Sequence, residues 1–162
     1  MPMLLDYLVT LYLNRAMKQI ANDMFFSWVE SEIEAGREVR FRLKGHSMFP
    51  LLRNGKDDVV LQPCAYDALK VMDVVLFRYG GKHLLHRIIR IEGDTLYMQG
   101  DGVMVSEEKC TASDIVGKVC MVIRPSGAEI PTSKWRWRLP SILWRKIGVL
   151  RGFLLRVLRH MI

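Results

Sequence analysis

Ser47 lies in Lys44-Gly45-His46-Ser47-Met48-Phe49-Pro50, directly after the alternating run Val39-Arg40-Phe41-Arg42-Leu43. A serine at the end of a strand, two residues after a glycine and three before a proline, is set on a tight, exposed turn. Its hydroxyl is a weak nucleophile by itself and needs a neighbouring base. His86, in Leu84-Leu85-His86-Arg87-Ile88-Ile89-Arg90, is the candidate base. A histidine base acts in its neutral form, so a reaction that it runs gains rate as rising pH removes the ring proton. Lys44 and Lys82 are rival bases for a Ser-Lys dyad. Such a lysine must be buried to lose its proton near neutral pH, and Gly80-Gly81-Lys82 reads as an exposed turn. His46 and His83 read as structural or solvent-exposed, because the side chains of His46 and its neighbour Ser47 diverge. No spacing suggests a cofactor or a metal, and neither is expected. Backbone N–H groups at the Ser47 turn would hold an oxyanion.

The elements that must position these groups are mostly short strands. Hydrophobic alternation or short apolar runs mark strands at 39–43, 59–61, 74–77, 84–91, 95–98 and 115–123, punctuated by glycine-containing turns. Strands so short and so spaced predict a mainly β fold, a compact antiparallel barrel-like body, rather than a parallel α/β sheet. Before it, residues 1–19 have loose helical spacing. Asn22 or Asp23 would cap a new helix whose apolar face carries Met24, Phe25, Trp28, Val29 and Ile33, and Gly36 would end it. That aromatic stripe reads as core packing. After the body, 125–131 reads as a linker, and Pro140 opens an amphipathic helix. The chain thus divides into a helical segment at 1–36, a β-rich domain at 37–126, and a linker with a basic helix at 127–162.

Taken in order, the motifs resemble the signal peptidase I family, within the signal peptidase and LexA-type group of serine peptidases. Gly45-His46-Ser47-Met48-Phe49-Pro50 matches every fixed position of that family's nucleophile motif. Met72-Asp73-Val74-Val75-Leu76-Phe77 is similar to its second motif, with Met72 where the family has glycine. His86-Arg87 is similar to the histidine form of the third motif, found in endoplasmic-reticulum and archaeal members, and Gly100-Asp101 to the fourth. A further departure is Asp57-Asp58 after Lys56, where a simpler Gly-Asp would follow Gly55. The resemblance spans about residues 37–123 and implies a LexA-type fold and a serine endopeptidase that works through an acyl-enzyme. It also implies an extended peptide or precursor protein as substrate, with small residues near the cut. Asp101 is the acid expected to orient His86. Glu107 and Glu108, a few residues beyond the fourth motif, are the alternatives, because histidine-type members carry an acid there. Removal of a leader from a precursor peptide is one version of this activity.

Composition narrows the partners. The formal charge of +7 is concentrated at one end: residues 134–162 carry eight Lys or Arg and no acid, which leaves a net of −1 on the first 133. A near-neutral body excludes a broad nucleic-acid-binding surface and points to a local contact. The tail's stripe of Leu143, Ile147, Leu150, Leu154, Leu158 and Met161 either packs on the body or lies on an anionic membrane surface. Arg145, Lys146, Arg156, Arg159 and His160 are expected on its far side, with Arg151 off the pattern. Every candidate window of about 20 residues is broken by charge, so no transmembrane span is expected. Residues 1–13 make a poor signal peptide. Cys64, Cys110 and Cys120 read as reduced structural thiols. The expected location is the cytoplasm, with peripheral contact at the inner face of the cell membrane. Met1 and Met24 are both candidate starts. Two rivals remain: a self-cleaving repressor-type module cut at Ala35-Gly36, and a non-catalytic β-module that binds peptide or membrane.

Overall fold

A computed structural model describes the backbone of residues 2–160 and the side chains of residues 11–160. The first element is one helix, α1 (Pro2–Glu34), instead of two. Asp23 does not cap a new helix, because its carboxylate accepts a hydrogen bond from Gln19 Nε2 at 2.9 Å, one turn earlier. At the C-terminal end the expectation holds. Gly36 takes φ +81°, its N–H donates to Ile33, and the Arg37 N–H donates to Glu32, which satisfies the last carbonyls.

Eight strands follow: β1 (Val39–Arg42), β2 (Asp58–Gln62), β3 (Val74–Tyr79), β4 (Lys82–Glu92), β5 (Thr95–Gln99), β6 (Glu108–Cys110), β7 (Ile115–Ile123) and β8 (Glu129–Pro131). All pair antiparallel in one curled sheet of order β1-β2-β7-β3-β4-β5-β6, with β8 on β7. The run Val74-Val75-Leu76-Phe77 lacks polar alternation because β3 is covered on both faces. Val74 and Leu76 join one core with Val59, Leu61 and Val119, and Val75 and Phe77 join another with Ile88, Leu96 and Met98. Gly80 and Gly81, at φ +55° and +72°, form the two-residue turn that links β3 to β4 in the twist a hairpin favours.

The segment expected as a linker holds β8. The Arg124 N–H donates to Ala128 and the Gly127 N–H to Arg124, so the chain turns tightly and returns along β7. The tail is two helices, α2 (Trp135–Lys146) and α3 (Val149–Arg159), parted where Gly148 adopts φ +51°. Pro140 lies inside α2 rather than opening it. α2 buries Trp137 in the same core as Val29 and Ile33 of α1, so α2 and the C-terminal half of α1 share one core. Arg145, expected on an outer basic face, turns inward. Its Nη1 is buried, and burial together with the charge of Arg151 holds its pKa below the ordinary arginine value. Arg151 is buried and donates to the Val103 carbonyl at 2.8 Å, which explains its place off the stripe.

All three cysteines are free thiols. Burial raises each pKa, that of Cys110 to about 11, which keeps the thiols protonated and unreactive. Among the described residues no helix is long and apolar enough to cross a membrane.

Candidate active site

The Ser47 turn is clamped from three sides. The Leu43 N–H donates to Asp57 and the Gly55 N–H to Leu43, which extends the β1–β2 pairing into the loop. Gly45, at φ +103°, donates its N–H to Asn54 Oδ1 at 2.9 Å. The Phe49 N–H then closes the turn on the His46 carbonyl, and Met48 enters the core. Beneath the turn, the fully buried Asp57 carboxylate meets Arg53 and Arg124 at 2.8 and 2.6 Å. Burial pushes its pKa upward, but hydrogen bonds from Arg53 and the charge of Arg124 outweigh it and hold the pKa below the usual carboxylate value. Asp57 therefore contributes stability that is present above the unfolded-state carboxyl range and lost as pH falls through its own lower value.

The third side is Gly100-Asp101-Gly102. The Gly102 N–H donates to the Ser47 carbonyl at 2.7 Å. A Cβ on Gly100 would collide with that same carbonyl oxygen, and one on Gly102 would stand 2.7 Å from the His46 oxygen. Glycine is required at both positions by this close approach. The hydroxyl of Ser47 and its own N–H make no hydrogen bond within the protein among the described residues, which leaves both for a ligand.

His86 and Arg87 are neighbours on β4 and are directed to opposite faces. Arg87 is fully buried. It donates to both Asp101 oxygens, Nε to Oδ1 at 2.9 Å and Nη2 to Oδ2 at 2.7 Å, and through Nη1 to the Met72 carbonyl. Met72, which stands where the resembled family has glycine, takes the left-handed φ of +82°, a conformation that glycine adopts without strain. Trp144 Nε1 donates to the Asp101 carbonyl at 2.9 Å. Asp101 therefore does not touch His86. A buried guanidinium requires a charge partner, and Arg87 occupies both carboxylate oxygens.

The group that meets His86 is Glu108, the first residue of β6. Its Oε2 lies 2.9 Å from His86 Nδ1, and both side chains are almost fully enclosed. A carboxylate only accepts, so the proton of the neutral ring sits on Nδ1 and the lone pair on Nε2. Nε2 has no hydrogen-bond partner among the described residues. It is not sealed either, because Arg145 Nη1 is the one buried side-chain nitrogen or oxygen left without a partner among the described residues. Glu107 is more exposed and lies 4.0 Å from Arg90. No hydrogen bond joins Ser47 to His86. What links their surroundings is pairing: Gln99 is opposite Arg87, and the next residue, Gly100, packs on the Ser47 carbonyl.

The remaining candidates fall where the sequence suggests. Lys44 and Lys82 are exposed. His46 is exposed, its ring 3.4 Å from Asn54. His83 stacks on Phe26 at 4.6 Å and meets Glu30 at 2.7 Å, which latches α1 to the β3–β4 hairpin. The stripe expected as core packing is buried only in part: Val29 and Ile33 are in the core, Met24 and Trp28 are exposed at 70% and 48%, and Phe25 and its neighbour Phe26 have a second role. Besides core packing, they wall a groove of about 640 Å³ whose other lining includes Phe41, Leu76, Leu85 and Gly45, two residues before Ser47. β1, which leads into the Ser47 turn, is an edge strand with one side unpaired. The Ala35–Gly36 bond sits in the cap of α1, its N–H groups bonded to Ser31 and Ile33. It is not presented as the extended peptide that self-cleavage would need. Among the described residues no group of three His, Cys, Asp or Glu side chains is placed to hold a metal ion. No protein-family model matches this chain, and no curated protein matches it.

Proposed function

We propose that this chain is a serine endopeptidase of the signal-peptidase type in which Ser47 is the nucleophile, His86 the base and Glu108 the acid that orients it. The observation that carries the reading is the His86–Glu108 contact. It fixes the tautomer and leaves Nε2 free to take a proton, while Ser47 sits on a turn held rigid by packed glycines. Ser47 Oγ attacks the scissile carbonyl and its proton passes to His86 Nε2. The unbonded Ser47 N–H supports the oxyanion, and the imidazolium, steadied by Glu108, returns the proton to the leaving amine. Water, deprotonated by the same ring, then hydrolyses the ester and regenerates Ser47. Substrate binding closes the gap between Oγ and Nε2, since catalytic hydrogen bonds often tighten only in the complex.

The substrate is an extended peptide that adds to the free edge of β1, with main-chain bonds supplying affinity and the groove supplying selectivity. Aromatic and leucine walls favour a bulky apolar side chain near the cut over the small residues that the family resemblance implies. In a panel of peptides differing only there, Leu or Phe should be cleaved faster than Ala by at least about tenfold, the lower end of what one methylene is worth in an apolar pocket. Equal rates would remove the groove from the account.

A fluorophosphonate reagent followed by intact-mass measurement tests the site itself. One adduct should form on Ser47. Glu108→Gln should slow labelling by up to about four orders of magnitude with the fold retained, because the glutamine amide no longer fixes the tautomer or balances the imidazolium. Labelling that is unaffected by Glu108→Gln, or that follows Lys44 or Lys82 instead, would refute the assignment.

A further inference from the structure

α2 and α3 each pack on the body by one face and carry a second apolar face that points away from it. In α2 the packed face holds Trp137, Ser141 and Trp144. The opposite side presents Trp135, Leu139 and Leu143, at 71%, 48% and 54% exposure. In α3 the packed face holds Arg151 and Leu155, whereas Val149, Phe153 and Val157 repeat every four residues on the outer side, Val149 at 92% exposure and Phe153 at 62%. The expected stripe is therefore divided. Ile147, Leu154 and Leu158 pack against the Phe49–Trp144–Leu155 cluster, whereas Leu143 and Leu150 are exposed, Leu143 within the outward row, and Met161 lies outside the described residues.

The charges sort in the same way. Arg145 and Arg151 turn into the body, and Arg159 Nη2 donates to the Gly102 carbonyl at 2.8 Å. Lys134, Arg136, Arg138, Lys146 and Arg156 are exposed, and none forms an ion pair among the described residues. By helical spacing Arg138, Lys146 and Arg156 flank the outward apolar rows. No acid occurs after Glu129. A soluble partner's apolar pocket would explain the exposed rows but not a rim of unpaired cations with no acid among them. A negatively charged lipid surface explains both, since it takes apolar side chains into its interfacial zone and attracts the cations around them.

We infer that the outward face of α2 and α3 docks on an anionic bilayer surface, with Trp135, Leu143, Val149 and Phe153 entering the headgroup region and the flanking Arg and Lys meeting lipid phosphates and carboxylates. The helices lie in the plane of the surface and do not span it. The inference is independent of catalysis.

The full-length protein is sedimented with phosphatidylcholine vesicles, with and without phosphatidylserine. It should pellet with the phosphatidylserine vesicles at low salt and be released at high salt. Binding should fall at least about tenfold when phosphatidylserine is omitted. A charge variant, Arg136→Gln with Arg138→Gln, Lys146→Gln and Arg156→Gln, should lose binding to a similar degree. An apolar variant, Leu143→Ser with Phe153→Ser, should lose it as well. The substituted side chains are exposed, so both variants should keep the melting temperature of the parent. Vesicle binding that survives in both variants, or that ignores phosphatidylserine, would overturn the inference. A dimer on gel filtration that the apolar variant converts to monomer would also overturn it, because a second copy would then be what covers the rows.

Discussion

Ser47→Ala should abolish peptide cleavage and fluorophosphonate labelling and leave the melting temperature of the protein almost unchanged. The two halves of this expectation have separate origins. Ser47 Oγ makes no hydrogen bond, so its loss leaves no buried partner unsatisfied. The turn is instead held by main-chain groups, by Met48 in the core and by the glycine packing beneath it. The chemical half is large because no acyl-enzyme can form without the oxygen. Loss of a serine nucleophile costs on the order of 10⁶ in turnover in a well-studied protease, with a residue of about 10³ to 10⁴ over water from the rest of the site. Cleavage above a tenth of the parental rate, with the peptide bond cut at the same place, would remove Ser47 from the mechanism. A fall in activity accompanied by a large fall in melting temperature would place Ser47 in the architecture instead.

The largest stability effect is expected at the pair behind the turn. Asp101→Ala leaves the Arg87 guanidinium buried with only the Met72 carbonyl and the Trp137 ring, 5.5 Å away, for company. Removing one partner of a buried ion pair costs about 3 to 5 kcal/mol, because the surviving charge is uncompensated. For a domain of this length that is a fall in melting temperature on the order of 10 °C. The double variant Arg87→Leu with Asp101→Leu removes both charges and should recover a large part of the loss, since an apolar replacement of a buried pair is often near neutral. The signature that separates Asp101 from Glu108 is the kind of damage. Asp101→Ala should lower stability steeply and activity only through the displaced turn. Glu108→Gln should lower activity with little change in stability. If Asp101→Ala left the melting temperature intact and removed activity selectively, Asp101 would be the acid that acts on His86.

The strands that position the candidate site were legible wherever a run of side chains is long enough to declare a period. The run 115–123 coincides with β7, and the run from Val74 to Phe77 forms most of β3. β6 and β8 are three residues each, too short to alternate detectably, and both are held by their neighbours rather than by their own sequence. The contact between His86 and Glu108 was hidden for the same reason. Asp101 lies in a motif that reads locally, whereas Glu108 reaches His86 only because β6 pairs with β5 and β5 with β4, and pairing partners are not written in either segment. A local clue existed in Arg87. An arginine in a β-branched run, destined for burial, requires an acid, and assigning Asp101 to it frees His86 for another. The helices show a comparable limit. Asn22-Asp23 suggested a boundary by propensity, but the bond from Gln19 to Asp23 satisfies the side chain inside a continuous helix. Gly148, by contrast, sat within an apparently unbroken amphipathic pattern and divides it.

The indole bond from Trp144 to the Asp101 carbonyl has a consequence for how the molecule opens. It joins the last third of α2 to the residue whose neighbours on both sides, Gly100 and Gly102, press on the Ser47 turn. A chain cut at Gly127 would lose this bond together with Trp137 of the main core, so such a fragment should not fold as a stable unit. In amide-exchange terms, the N–H groups of α2, of Gly102 and of β5 should share one opening free energy and slow together. Those in the part of α1 between residues 11 and 20, where nearly every side chain faces solvent, should exchange far earlier. The tail and the serine turn would then be one foldon, and α1 would belong to it only from Phe25 onward.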